Sequence, residues 1–212
     1  MCKKYTRKGT VKKDIYIDYD GVVRQTMSIA YEMMRNEHID LKDRPKVISF
    51  FERLDWHYLI SISLELNRAY YFINQIIKEN KYNVCILTKV NSLNEMSAKI
   101  IDIRKYSDVK TICVPNIIDK TDAVNPEGNI LIDDFSGNLF SWEAKGGLSV
   151  KFTENDDDRF LCTSSLGICL QDNFERKLIR KENKWIKLAF VKILKMNIYL
   201  WYLMLIMKVN II

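Results

Sequence analysis

Asp18 and Asp20 stand two residues apart, with Gly21 directly after them. Upstream, Ile15 and Ile17 alternate with Tyr16 in a short apolar run that reads as a buried strand. The two acids therefore fall at a strand's carboxyl end, where period-2 geometry would aim both to one side and Gly21 permits a tight departure. Two carboxylates placed there are costly to bury unless paired, and a cation would offset that cost. The other polar candidates share this setting. Thr88 ends the run Val84-Cys85-Ile86-Leu87, Asp133 and Asp134 end Asn129-Ile130-Leu131-Ile132, and Lys120 precedes that last run. In open α/β sheets the ligand crevice lies at the carboxyl edge. Several carboxylates, one hydroxyl and one ammonium converging there suit a hard cation plus a phosphate, and Mg²⁺ takes few protein carboxylates alongside phosphate oxygens and water.

The elements that must position these groups alternate along the chain. Residues 24–39 read as a helix, with Met27, Ala30, Tyr31, Met34 and His38 at spacings of three and four. Residues 41–44 are polar, Pro45 restarts the chain, and Phe50, Phe51, Leu54, Trp56, Tyr58, Leu59 and Ile62 form an aromatic-rich stretch. A helix over 66–77 precedes the strand that ends at Thr88. Ser92 as N-cap and Glu95 three residues on predict a helix to Lys105, with Leu93, Met96, Ile100, Ile101 and Ile103 on its apolar face. Residues 111–114 form a strand closed by Pro115, and 116–128 a loop carrying Lys120. After the strand at 129–132, a helix over 135–145 stops at Gly146-Gly147, and 148–152 is the last strand. Strands of continuous apolar residues alternating with helices predict an α/β fold, a parallel sheet with helices on both faces. The first two strands are separated by about 60 residues, far more than one crossover helix needs, so a helical module is inserted between them.

Charge is unevenly placed. Residues 1–13 carry six basic side chains and no acid, and residues 175–212 carry nine Lys and Arg against two Glu. The body between them has 18 basic and 25 acidic side chains, which argues against a nucleic-acid polymer as partner. Cys2, Cys85, Cys113, Cys162 and Cys169 show no zinc or disulfide spacing, so a reducing, cytoplasmic setting is expected. His38 and His57, the two histidines, read as structural, and the aromatic stretch reads as packing of the inserted module or as a base-stacking wall. Near the C-terminus Arg176, Lys177, Arg180, Lys181, Lys184, Lys187, Lys192 and Lys195 share one helical face opposite Trp185, Ile186, Ala189, Phe190 and Ile193. The uncharged run 196–207 is too short to span a bilayer, so this part reads as a docking or loosely ordered tail, with membrane-surface contact as the alternative.

The motifs Asp18-Tyr19-Asp20-Gly21-Val22-Val23, Ile86-Leu87-Thr88, Lys120 and Ile132-Asp133-Asp134, in that order, resemble the four motifs of haloacid dehalogenase (HAD) superfamily phosphohydrolases. Asp119-Lys120-Thr121, Leu131-Ile132-Asp133-Asp134, Phe135-Ser136-Gly137-Asn138-Leu139 and Trp142-Glu143 before Gly146-Gly147 look most like the 5′(3′)-deoxyribonucleotidases and their bacterial 5′-nucleotidase-like relatives. The resemblance covers roughly residues 12–153. It implies a Rossmann-like core over 1–23 and 67–160, a helical C1-type cap over 24–66, and leaves 161–212 as an atypical tail. It further implies that Asp18 is the nucleophile and Asp20 the general acid and base. Thr88 and Lys120 would hold the phosphoryl group, helped by loop amides at Asn91 and Ser92. Asp18, the Asp20 carbonyl, Asp133 and Asp134 would hold Mg²⁺. Lys89 and Lys99 compete with Lys120 for the lysine role, but Lys99 falls in mid-helix and reads as solvated. The activity implied is Mg²⁺-dependent phosphomonoester hydrolysis of a small phosphorylated substrate, a nucleotide first. Another metabolite phosphate, or a non-catalytic membrane-associated protein keeping the fold, are the alternatives.

Overall fold

In the computed structural model, which describes residues 12–181, the apolar run at the N-terminus forms β1 (Asp14–Ile17) at the centre of a six-stranded parallel sheet. Its alternation serves two buried faces. Ile15 and Ile17 enter the larger core, whereas Tyr16 points into a smaller one, edge-on against Trp142 at 5.3 Å between ring centres. β2 (Asn83–Val90) and β4 (Ile130–Asp133) flank β1 and split their residues in the same way, Ile86, Ile130 and Ile132 to one side and Leu87 and Leu131 to the other. β3 (Lys110–Pro115) lies outside β2, and β5 (Leu148–Phe152) and β6 (Leu161–Thr163) lie outside β4. The strand order β3-β2-β1-β4-β5-β6 reverses between β1 and β4, which opens a crevice beyond their carboxyl ends.

Two boundaries differ from expectation. β2 runs two residues past Thr88, because Lys89 and Val90 keep pairing with Val114 and Pro115 of β3. The sheet also continues beyond 160. β6 pairs with β5, and Leu166, Ile168, Cys169, Phe174 and Leu178 complete the larger core, so the described part of the supposed tail belongs to the core. Five apolar side chains that would otherwise face water are the reason. The rest of the basic amphipathic stretch and the run 196–207 lie outside the described residues, as do residues 1–11. Among the described residues no helix is long and apolar enough to cross a membrane.

Between β1 and β2 come α1 (Thr26–Asn36), α2 (Arg44–Arg53), α3 (Trp56–Ile62) and α4 (Ala69–Glu79). Asp43 and Asp55 cap α2 and α3 by accepting the Lys46 and Tyr58 amides, and Pro45 sits in the first turn of α2, where its missing N–H costs nothing. Ala30, Met34, Phe50, Trp56 and Leu59 pack together and join the larger core. Tyr31 and Tyr58 are exposed instead, and His38 lies past the end of α1 with a positive φ of 56°. The two connections to this module are zipped to each other. The Gln25 amide donates to the Leu64 carbonyl at 3.0 Å and the Leu66 amide to the Val23 carbonyl at 2.9 Å. Asn67 and Arg68, which follow, both adopt the left-handed region.

α5 (Leu93–Tyr106) is capped as expected by Ser92, whose hydroxyl oxygen accepts the Glu95 amide. Its orientation is not as expected. Leu93, Ile100 and Ile101 face solvent, while Glu95, Ala98, Lys99, Asp102 and Ile103 are buried. α6 (Lys120–Ala123) is a short helix inside the expected loop, and α7 (Ser136–Ala144) covers the second face. Among the described cysteines, Cys85, Cys113, Cys162 and Cys169 are free.

Candidate active site

Asp18 follows β1 at the point where the strand order reverses. Its amide still donates to the Ile132 carbonyl at 2.9 Å, so the sheet ladder fixes its backbone. One carboxylate oxygen accepts the Tyr19 amide at 2.8 Å and the Lys120 ammonium at 2.9 Å. Tyr19 alternates away into the core and donates its hydroxyl to Asp102 at 2.8 Å. Gly21 then turns the chain with φ 72°. A Cβ at this glycine would lie 2.1 Å from a carboxylate oxygen of Asp134, so only glycine allows Asp134 to close on this turn.

Lys120 and Asp133 complete a buried node. The Lys120 ammonium donates to Asp133 at 2.7 Å, and the two Asp133 oxygens also accept the Phe135 amide at 2.8 Å and the Asn138 amide group at 2.9 Å. Burial lowers the affinity of Lys120 for its proton, but the Asp133 and Asp18 carboxylates outweigh this and hold it protonated. Asp18 is pushed up to about 8, chiefly by burial and further by Asp133, Asp20 and Asp134, against the pull of Lys120. Asp134 rises to about 7 for the same first reason, with Asp133 and Asp20 adding to it.

Asp18, Asp133 and Asp134 each bring a carboxylate oxygen within 4.8 Å of the others. Three hard oxygen donors share one ammonium in a largely dry crevice, and a divalent cation that displaces their protons fits that donor set. The Asp20 carboxylate stands apart from these three. It accepts the Thr26 hydroxyl at 2.6 Å and pairs with the Lys99 ammonium.

Lys99 is the residue that sequence reasoning misplaced. It is fully buried, not solvated, and its ammonium reaches four acceptors: Asp20, Glu95 at 2.6 Å, the Lys89 carbonyl at 2.9 Å and the Thr88 hydroxyl at 3.1 Å. The Trp56 ring of α3 lies 5.0 Å from it. Burial works against its charge, and the Asp20 and Glu95 carboxylates reverse that effect and raise its pKa. A signal was present in the sequence, since Glu95 and Lys99 form an i,i+4 pair in register with Asp102.

The remaining expected contacts are already committed. Thr88 is buried beside Lys99, to which its oxygen is an acceptor. The Asn91 amide donates to Glu95 at 2.7 Å, and Ser92 is occupied as the cap of α5. A second buried network clamps the module's first connection. Arg24 binds both oxygens of Asp102, at 2.7 and 3.0 Å, and Tyr70 donates to the same carboxylate at 2.6 Å. His57 is exposed. Phe50, Phe51 and Trp56 contact one another, at 5.5 and 6.1 Å between adjacent ring centres, with Phe50 and Trp56 buried.

No protein-family model and no curated protein matches the sequence. Solved structures do match in fold. A haloacid dehalogenase-like family hydrolase from Xanthomonas campestris aligns over 86% of this chain and 97% of its own, with 11% identity and a TM-score of 0.53. A HAD-superfamily hydrolase from Ehrlichia chaffeensis aligns over 80% of this chain and 100% of its own, with 15% identity and a TM-score of 0.46. A phosphonoacetaldehyde hydrolase-like protein from Oleispira antarctica covers 86% and 89%, with 10% identity and a TM-score of 0.46. The architecture is thus the α/β, Rossmann-like fold of the haloacid dehalogenase-like hydrolases.

Proposed function

We propose that this chain is a Mg²⁺-dependent phosphomonoester hydrolase working through an aspartyl-phosphate, with a 5′-nucleotidase-like preference for nucleoside monophosphates. The observation that carries this reading is Asp18. It is a buried carboxylate at the carboxyl end of the central strand, bonded to the Lys120 ammonium and gathered with Asp133 and Asp134. In the first step an Asp18 oxygen attacks phosphorus, the ester P–O bond breaks, and the leaving alkoxide takes a proton from Asp20. In the second step a water attacks the same phosphorus, Asp20 takes its proton, and the aspartyl P–O bond breaks to return the Asp18 carboxylate and free phosphate. Lys120 neutralises charge that develops on the phosphoryl oxygens. Asp18, Asp133, Asp134 and the Asp20 carbonyl would hold Mg²⁺, which would supply further charge stabilisation to the phosphoryl oxygens. Thr88 and Lys99 position this machinery from the side of β2 and α5. The domain reading follows the same logic, with residues 24–66 acting as a cap over the core.

A second reading, a sugar or other metabolite phosphate as substrate, is favoured by one observation. Phe50 and Trp56 are buried in packing and do not offer the base-stacking wall that a nucleotide would use. Phosphate release from a panel of nucleoside monophosphates and sugar phosphates tests both readings. Wild type should turn over at least one of them, and Asp18→Asn or EDTA should abolish release. Release unchanged by either would sink the mechanism, and turnover of sugar phosphates alone would select the second substrate class.

A further inference from the structure

Tyr19 stands between Asp18 and Asp20, and its backbone holds that turn together. Its amide donates to the Asp18 carboxylate at 2.8 Å, and its carbonyl accepts the Val23 and Arg24 amides at 2.9 and 3.0 Å. The Gly21 amide closes the turn on the Arg24 carbonyl at 2.8 Å. The Tyr19 side chain runs the other way, fully buried, and its hydroxyl donates to Asp102 of α5 at 2.8 Å. The same Asp102 oxygen accepts the Tyr70 hydroxyl of α4 at 2.6 Å and the Arg24 Nε at 3.0 Å, and the other oxygen accepts the Arg24 Nη2 at 2.7 Å. One buried carboxylate thus meets the turn from behind through two of its residues, Tyr19 and Arg24, and ties both to α4.

The partners make this node stiff. Arg24 balances the Asp102 charge with two parallel bonds, which also fix the plane of the guanidinium. The guanidinium carbon lies 5.8 and 5.6 Å from the Tyr70 and Tyr106 ring centres, and those two rings stack at 4.8 Å. Burial, with Asp102 alongside, raises the pKa of both Tyr19 and Tyr70, so each hydroxyl stays a donor.

We infer that Asp102 is a positioning residue, which through the Tyr19 hydroxyl holds the Asp18–Asp20 turn in the geometry that hydrolysis requires. The inference rests on the phosphohydrolase reading above. A ring pinned at its far end restricts where the Tyr19 backbone can sit, and the Tyr19 amide in turn orients an Asp18 oxygen. Attack on phosphorus is sensitive to such placement, since a displacement of about 1 Å can cost about a hundredfold in rate. Tyr70 supplies the comparison. It makes the same kind of bond to the same Asp102 oxygen, from a helix that carries no reacting group. A node that served stability alone would respond alike to the loss of either hydroxyl.

The test measures kcat, KM and Tm of the whole chain as Tyr19→Phe, Tyr70→Phe and Asp102→Asn, with p-nitrophenyl phosphate and Mg²⁺. Asp18→Asn serves as the reference for the chemistry. Each Tyr→Phe change removes one oxygen and keeps the ring, so packing is retained. Tyr19→Phe should lower kcat about tenfold and leave KM within about twofold of wild type. Tyr70→Phe should lose a similar amount of Tm and keep kcat within about twofold. Asp102→Asn weakens all of these bonds and should lower kcat at least as far as Tyr19→Phe; if it does not fold, the tyrosine pair decides alone. Equal kcat in Tyr19→Phe and Tyr70→Phe, whether both fall or both match wild type, overturns the inference while Asp18-dependent hydrolysis keeps the underlying reading. Absence of Asp18-dependent hydrolysis overturns both.

Discussion

Two buried lysines organise this crevice, and they differ in what surrounds them. Lys120 stands at the start of α6 and bridges Asp18 and Asp133, two carboxylates that also belong to the three-acid cluster. Lys99 stands in the middle of α5 and bridges Asp20 and Glu95, with Thr88 as a further partner. At the first node an excess of carboxylates remains, which suits a cation and a phosphoryl group. At the second, the charges are internally satisfied and the ammonium holds three elements together. On the proposed function, Lys120 faces the reacting group directly, whereas Lys99 holds Asp20 in position from behind. The partners of each ammonium set that difference.

Removing each ammonium should separate these roles. Lys120→Met is expected to lower kcat/KM by about a thousandfold, the scale of losing one charge-stabilising group in a catalytic crevice. Steady-state kinetics with Mg²⁺ present would measure it, and a loss under tenfold would make the first node as structural as the second. Lys99→Met should act mainly on stability. It strands the buried Glu95 carboxylate, an effect of about 3 kcal/mol, and Glu95→Gln added to it should recover part of that loss. Urea unfolding of the two single variants and the double variant measures the coupling. A Lys99→Met protein of wild-type stability and thousandfold lower kcat would reverse the comparison.

The smallest effect is a dependence on pH at the first node. Asp18 near 8 and Asp134 near 7 sit above the ordinary carboxylate value of 3.8. Their protonated forms suit the folded site, so the stability they contribute is full below that ordinary value and is lost as pH rises through about 7 and then about 8. Metal binding must displace those protons, so the gain in Tm from added Mg²⁺ should be small near pH ~6 and grow toward pH ~8.5. Thermal scans with and without Mg²⁺ at both pH values check it. A gain independent of pH would mean that the cluster is already ionised without metal.

How legible each part was follows from where its partners sit. Asp18 and Asp133 could be placed from local pattern, because a short apolar run followed by an acid marks a strand end without reference to anything distant, whereas the same pattern at Thr88 falls two residues short of the end of β2. The orientation of α5 could not. Counting apolar residues put Leu93, Ile100 and Ile101 inward, yet the buried face is Glu95, Lys99 and Asp102, since their partners Asp20, Arg24 and Tyr70 come from segments far away in the chain. Likewise β6 is three residues long with no alternation to reveal it, and only its pairing with β5 makes it a strand.

The sequence alone therefore determined the succession of strands and helices along the chain, the acidic strand ends at Asp18 and Asp133 and the glycine turn after Asp20, all of which rest on local periodicity and backbone freedom. Tertiary structure decided the rest. It brought Asp134 against Gly21, closed Lys120 between two carboxylates and drew Lys99 out of water. Each of these depends on the distance between charges from separate elements. Coulomb energy and desolvation follow that distance and burial, and neither is written in the spacing of residues along a chain.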